Sequence, residues 1–437
     1  MHSFIIEGGK PLKGTITVSG SKNAALPILA STLLSKEDCV LTNIPRIEDI
    51  FRMIELIKSI GVEVEWTGNH EVTVNAKNID PTKLDIKIFS RLRASILLIG
   101  PLLARFRSIE VPHPGGCQIG ARPIDTHLNA FRDAGVTIES KRGHSDDSSL
   151  KKRDSYKLTV GKPRSNEIVL DSFSVTATEN ILMFLAMQPR TVTVHIAAAE
   201  PHVKNLSNIL KKMGARIEGD GTHSITITGK KSLSGCAHRI IPDYLEAGTF
   251  LAAAAATRSR MEITPCNVGD LHLALKVATR IGIRFTIKKG REEGTDNIVV
   301  SPSPNLTATN IDARPHPGFP TDLQSPFGLL ATQAKGTSLI HDTLFEGRMR
   351  YFYDLNRMGA NAIIADPHRA LVTGPTPLFG QEIASLDIRS GVTMIIAGLI
   401  ASGKTTIKNI YQIDRGYESI EKRFAALGAD IKRVDDK

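Results

Sequence analysis

A helix that ends on glycine and turns at once into a β-branched strand recurs six times along this chain. The copies read SIGVEV, DAGVTI, KMGARI, RIGIRF, RMGANA and ALGADI, centred on Gly61, Gly135, Gly214, Gly282, Gly359 and Gly428. Neighbouring glycines lie 68 to 79 residues apart. Such self-similarity constrains a fold more than any single motif, because one structural solution must serve every copy. Each glycine sits where a helix stops in a left-handed conformation, which glycine adopts without steric cost. The alternating residues after it predict a strand. A second element accompanies each copy: an Ala/Leu-rich helix, a short polar turn, then a strand. It reads ASTLLSKEDCVLTNI, LLARFRSIEV, FLAMQPRTVTV, AAAATRSRMEI, LLATQAKGTSLI and AGLIASGKTTI. Two helices and a few strands bury too little core to stand alone. The six units are therefore expected to form two α/β domains of three.

Composition narrows the function. With 437 residues, 41% of them hydrophobic, the chain has material for sizeable cores and is not a disordered protein. Four cysteines (Cys39, Cys117, Cys236, Cys266), far apart and without a CxxC pair, exclude a disulfide scaffold and argue against structural zinc. The start lacks a signal-peptide core. The apolar run from Val392 to Ala401 is about half of the ~20 residues that span a bilayer. A cytoplasmic, reducing location is expected. The net charge of +10 favours anionic partners. Aromatic residues make up only 5%, and the longest basic run is Lys151-Lys152-Arg153, so stacking platforms for nucleic acid are lacking. Small anionic substrates fit better. The polar stretch from Arg142 to Ser155 is expected to be a surface loop insertion.

One motif misleads. Residues from Gly398 to Thr405 (GLIASGKT) fit the phosphate-binding loop G-x-x-x-x-G-K-[ST]. That loop needs a strand before it and a helix after it, whose N-terminal N–H groups meet the phosphate. Here an apolar helix is expected before it and a strand after it, so Lys404 is expected to be a solvated turn residue.

The chemical candidates are few. Cys117 lies in HPGGCQIGARP, a Gly/Pro-rich loop where Arg122 favours thiolate; it is either a nucleophile or proton donor, or an incidental loop thiol. The other three cysteines, in or beside strand patterns, are expected to be inert packing residues. In GSKNAALP, Lys22 and Asn23 open a helix and can aim donors at an anion, or Ser21 is simply a cap and Lys22 solvated. Arg93 heads another apolar helix and is equally open. The C-terminal half adds PTDLQ (Asp322), FEGR (Arg348), LDIR (Asp387, Arg389) and IDRGYE (Arg415). These are either structural ion pairs or a set of arginines able to clamp a dianion through bidentate hydrogen bonds.

Taken together and in order, these segments closely resemble the enolpyruvyl transferases, specifically those acting on UDP-N-acetylglucosamine in peptidoglycan synthesis. The likeness runs from IIEGG at Ile5 to LGADI at Leu427, with GSKNAALP, HPGGCQIGARP and IDRGYE as its specific parts. The sister enolpyruvylshikimate-phosphate synthases share the repeats but typically carry Ser-Lys-Ser near residue 22 and lack the Cys loop. The resemblance implies two inside-out α/β barrels of three repeats each, with the active site in the cleft between them. One domain would be residues 22–241, the other 1–21 with 242–437. It implies transfer of the enolpyruvyl group of phosphoenolpyruvate to the 3′-hydroxyl of UDP-N-acetylglucosamine, by a monomer that needs no metal or cofactor and binds neither nucleic acid nor membrane. It makes Asp322 the base for the hydroxyl, and Cys117 the acid and the target of the epoxide fosfomycin. Lys22, Arg122 and Arg415 would hold phosphate, and Arg348 and Arg389, with Asp387 between them in sequence, would face the carboxylate. Nucleotide-sugar positions would be Asn23, Arg93, Arg122, Pro123, Ile124, Asp125, Thr126, Ser172, Phe173, Ser174, Val175, Asp322 and Leu344. The chain departs from some relatives at Thr176, where glycine is also found.

Overall fold

The computed structural model describes residues 2–115, 123–141, 155–291 and 294–435. They fall into two compact units, one of residues 2–19 and 242–435, the other of 20–115 and 123–241. Each unit has its own hydrophobic core. The chain passes between units at Ser19–Gly20 and at Ile241–Pro242.

The Ala/Leu-rich helices determine the architecture. In Tyr244–Ala256, twelve consecutive residues are buried, and Thr321–Thr332 and Ile388–Ile400 are buried on every face beyond their first residues. The other unit repeats this with Lys22–Ser31, the 93–106 segment and Val175–Leu185. A helix apolar on all sides must be surrounded by protein, so these helices pack on one another and the sheets lie outside them. Close approach is built in at Gly100, where a Cβ would sit 2.3 Å from the Asn180 carbonyl oxygen of the neighbouring central helix.

Around each core stand three small sheets. Five of the six sheets share one plan: an edge strand runs parallel to the next, followed by two antiparallel pairings. In one, Ile311–Ala313 pairs in parallel with Gly336–Asp342 (Ile311 opposite Ile340), which pairs antiparallel with Arg369–Gly374, and that with Asn361–Asp366. The repeats are closed by distant segments. His2–Glu7 fills the sheet of the last repeat, with Phe4 opposite Ile407 and Arg433. Lys13–Thr17 pairs with Arg260–Cys266, and Ala237–Arg239 with Cys39–Thr42. The sixth sheet, of Ser108–Pro112, Val136–Lys141 and Ser155–Val160, has three strands. Where its edge strand would fall, Asp85 caps a short helix, Ile86–Phe89, by accepting from the Lys87 and Ile88 amides.

All six repeat glycines have positive φ, from 93° to 115°, at the ends of the outer helices. Residues 142–154 of the expected insertion lie outside the described residues, and Ser155 already begins a strand. The GLIASGKT segment follows the expected order: helix Ile388–Ile400, a turn, then strand Lys404–Lys408 with Lys404 exposed. No helix N-terminus is there to receive phosphate. Magnesium-ATP at millimolar concentration is therefore expected to leave the melting temperatures of the parent and of Lys404→Ala unchanged. A nucleotide-dependent rise in the parent that Lys404→Ala abolishes would restore the phosphate-loop reading.

Candidate active site

In the unit of residues 242–435, four of the residues singled out in the sequence converge. Asp322 stands in the first turn of Thr321–Thr332, immediately after Pro320. Asp387 caps Ile388–Ile400 in a reciprocal box with Ser390, and that geometry presents Arg389 in the first turn. Arg348 opens the short turn Arg348–Arg350. Its Nη2 donates to Asp322 Oδ1 at 2.5 Å, while Arg389 Nε donates to Asp322 Oδ2 at 3.0 Å. Arg348 Nη1 also lies 3.8 Å from Asp387 Oδ1. Both arginines are buried, at 8% and 3% exposure. A small recess beside them is lined by Gly347, Arg348, Arg350, Tyr351, Leu386 and Asp387.

A polar floor holds Arg389 from behind. Its Nη1 donates to Tyr417 Oη at 2.9 Å, the guanidinium lies over the Tyr417 ring at 5.4 Å, and Tyr417 Oη shares a 3.2 Å hydrogen bond with Thr249 Oγ1. Burial disfavours the Arg389 charge, but Tyr417, Asp322 and Asp243 together outweigh it and hold its pKa well above the ordinary arginine value. Burial likewise opposes Arg348, and Asp322, Asp387 and Asp342 overcome it. Burial raises the pKa of Asp243 against the pull of Arg389. Leu344 is set by Asp342, whose Oδ1 accepts from its amide at 2.9 Å. Arg415 is half-buried at the end of Tyr411–Asp414 and donates to Gln412 Oε1 at 3.0 Å.

The other unit carries its own set. Ser21 caps Lys22–Ser31 by accepting from the Ala24 amide, and Lys22 Nζ pairs with Asp49 Oδ2 at 2.9 Å. Only 12% and 6% of these two side chains are exposed. Lys22 is therefore buried and paired, not solvated. Asn23 is half-buried beside it, and Arg93 begins the segment Arg93–Leu98. The two expected nucleotide-sugar segments come together: Thr126 Oγ1 lies 3.3 Å from Ser172 Oγ, and Asn129 Nδ2 donates to Asp171 Oδ2 at 2.8 Å. Pro123 and Asp125 are exposed and Ile124 is buried. Ser174 caps Val175–Leu185 through the Ala177 amide, and exposed Phe173 packs tilted against His223, ring centroids 4.7 Å apart. Thr176 bonds His127 Nε2 at 3.0 Å. His127 Nδ1 receives an N–H from Asn180, whose amide can only donate there, so Nε2 carries the proton and Thr176 accepts it. Cys117 and Arg122 lie outside the described residues.

Two partners were not read from the sequence. Asp49 gave one signal, a carboxylate on the apolar face of Glu48–Ser59. Tyr417 sat inside IDRGYE without an assigned role. The sequence also did not show that Cys39 and Cys236, both beside strands as expected, are neighbours: parallel pairing of Cys39–Thr42 with Ala237–Arg239 brings together residues 197 positions apart. Cys266 is buried, and burial pushes its thiol up to about 12, as suits an inert packing residue.

The geometry makes Asp322 the common partner of two buried cations. Removing it takes the hydrogen-bonded carboxylate from both buried charges, so Asp322→Ala should destabilise the protein by about 3–5 kcal/mol, with Asp322→Asn costing less. A urea titration measures both. An Ala variant as stable as the parent would show that the arginines are held by other groups.

Comparison with known proteins agrees with the architecture. The family model for EPSP synthase (3-phosphoshikimate 1-carboxyvinyltransferase) matches residues 6–424. The chain is 39% identical over 434 residues to a UDP-N-acetylglucosamine 1-carboxyvinyltransferase of Treponema denticola, covering 99% of each. It is 40% identical over 440 residues to that of Psychromonas ingrahamii, covering both chains fully. Among solved structures it shares its fold with the enolpyruvyl transferase NikO of Streptomyces tendae (TM-score 0.87, 24% identity, 100% of this chain and 99% of that one). It also shares it with an EPSP synthase of Acinetobacter baumannii (TM-score 0.72, 19% identity, both chains covered fully). Full-length identity at this level, on a two-unit fold of six repeats, shows that the chain belongs to the enolpyruvyl transferase family, with the UDP-N-acetylglucosamine 1-carboxyvinyltransferases.

Proposed function

We propose that this protein transfers the enolpyruvyl group of phosphoenolpyruvate to the 3′-hydroxyl of UDP-N-acetylglucosamine and releases phosphate, the reaction that opens peptidoglycan precursor synthesis. The observation that carries this reading is identity of 39–40% along the full chain to enzymes named for that acceptor. The sequence supports it further, with Ser21-Lys22-Asn23 and the Cys117 loop where the shikimate-phosphate enzymes differ.

The chemistry is addition followed by elimination. The acceptor oxygen loses its proton and attacks C2 of the vinyl group while C3 gains a proton, giving a tetrahedral phosphorylated ketal. Loss of phosphate and of a proton from C3 restores the double bond. Addition needs a base, an acid and fixed cations. Asp322 takes the hydroxyl proton and Cys117 delivers one to C3. Lys22, Arg122 and Arg415 hold the phosphate, and Arg348 and Arg389 take the carboxylate. These cations supply the positive charge, so no metal or cofactor enters. Each Asp322 oxygen already accepts from one of the arginines. A substrate carboxylate competes for those same donors, so its arrival loosens the base that the next step needs. Asn23, Arg93, Pro123 to Thr126, Ser172 to Val175 and Leu344 hold the nucleotide sugar. The working protein is a cytoplasmic monomer.

Phosphate release from phosphoenolpyruvate tests the assignment, with turnover expected on UDP-N-acetylglucosamine and none on shikimate 3-phosphate. The reverse result would make the chain an EPSP synthase. Tyr417→Phe tests the floor beneath Arg389. Loss of one hydrogen bond to a buried charge, about 1.5–3 kcal/mol, should raise KM for phosphoenolpyruvate roughly tenfold or more while KM for the nucleotide sugar holds. Equal changes in both constants would mean that Tyr417 is merely structural.

A further inference from the structure

The proposed chemistry uses one cysteine, yet the fold builds a second thiol site from two others. Cys39 opens the strand Cys39–Thr42, and Cys236 immediately precedes Ala237–Arg239. These strands run parallel with Ala237 opposite Val40, and the Val40 amide donates to the Cys236 carbonyl at 2.9 Å. The register therefore sets Cys39 level with Cys236, and residues level in a parallel pair present their side chains on the same face. The segments are pressed together just upstream. A Cβ on Gly235 would lie 2.2 Å from the Asp38 carbonyl oxygen, and the Gly235 amide donates to Glu37 Oε2 at 2.9 Å. Neighbouring strands are about 4.8 Å apart, inside the range of roughly 4.4–6.8 Å that a disulfide spans between Cα atoms.

The pair is asymmetric. Cys39 is fully buried and Cys236 only partly buried, and both are free thiols. Lys212 approaches from outside, its Nζ on the Ala237 carbonyl at 3.1 Å. We propose that Cys236 and Cys39 form a peroxide-responsive dithiol site, with Cys236 the attacked thiol and Cys39 the resolving one. A hydrogen bond from Cys39, then the charge of Lys212, lowers the pKa of Cys236 against the opposing effect of burial. The same hydrogen bond, then burial, keeps the proton on Cys39. Attack of the Cys236 thiolate on a hydroperoxide breaks the O–O bond and leaves a sulfenic acid, and the departing hydroxide takes up a proton to become water. Cys39 sulfur then attacks the sulfenic sulfur, the S–O bond breaks, and its hydroxyl leaves as water with the Cys39 proton. Two thiols lose two electrons and one hydrogen peroxide becomes two waters. The site is independent of the catalytic assignments.

The test is peptide mass mapping of the intact protein under non-reducing conditions after graded hydrogen peroxide. A Cys39–Cys236 cross-linked peptide should accumulate at doses that leave Cys266 reduced, and dithiothreitol should reverse it. In Cys39→Ser, Cys236 should instead be trapped as a sulfenic acid that dimedone labels. The inference is overturned if Cys236 stays a thiol at doses that oxidise Cys266, or if its only disulfide is with Cys117. Because the parent protein alone decides these outcomes, poor folding of the variant would not rescue the proposal.

Discussion

Burial on every side of three largely apolar helices is the constraint from which the rest of each unit follows. Such a helix has no face for water, so it must be enclosed, and a sheet that encloses it must itself lie outside. Sequence then positions the polar and charged side chains at one end of each central helix, its N-cap and first turn. Lys22, Arg93 and Ser174–Val175 occupy that position in one unit, and Asp243, Asp322 and Arg389 in the other. In the second unit these first turns meet: Arg389 touches Asp322 directly, and through Tyr417 it reaches Thr249 on the helix that Asp243 caps. The unpaired amides of a helix N-terminus favour negative charge. Repetition of one unit thus gathers several anion-seeking positions at little cost in new structure.

The sequence made this framework readable because its signals are local. Gly61 or Gly359 ends its helix on backbone grounds that hold within a few residues, and the central helices show themselves by lacking any polar stripe. The reversed order around GLIASGKT was legible for the same reason, since helix, turn and strand are neighbours in the chain. Partnerships across the fold were not legible. Asp322 finds Arg348 at 26 residues' distance and Arg389 at 67, and Cys39 finds Cys236 across almost half the chain. No periodicity specifies which loops face one another. The family resemblance supplied candidate roles for Asp322, Arg348 and Arg389, but it said nothing of Asp49 beneath Lys22 or of the hydroxyl that steadies Arg389.

Stability does not account for the cluster around Asp322. Two guanidiniums and two carboxylates taken from water lose several kcal/mol of hydration each, and well-packed apolar residues of similar volume commonly hold a fold as well or better. Here the charges balance among themselves: Arg348 serves Asp322 and lies near Asp387, while Arg389 serves Asp322 and Tyr417. A balanced cluster is tolerable while nothing else is bound. Its arginines are also donors that a second carboxylate can claim, and the fixed Tyr417–Thr249 floor means that Arg389 need not be reordered when that happens. The arrangement is costly for a core and suits a site that exchanges one anion for another, which is what the proposed reaction asks of these helix starts.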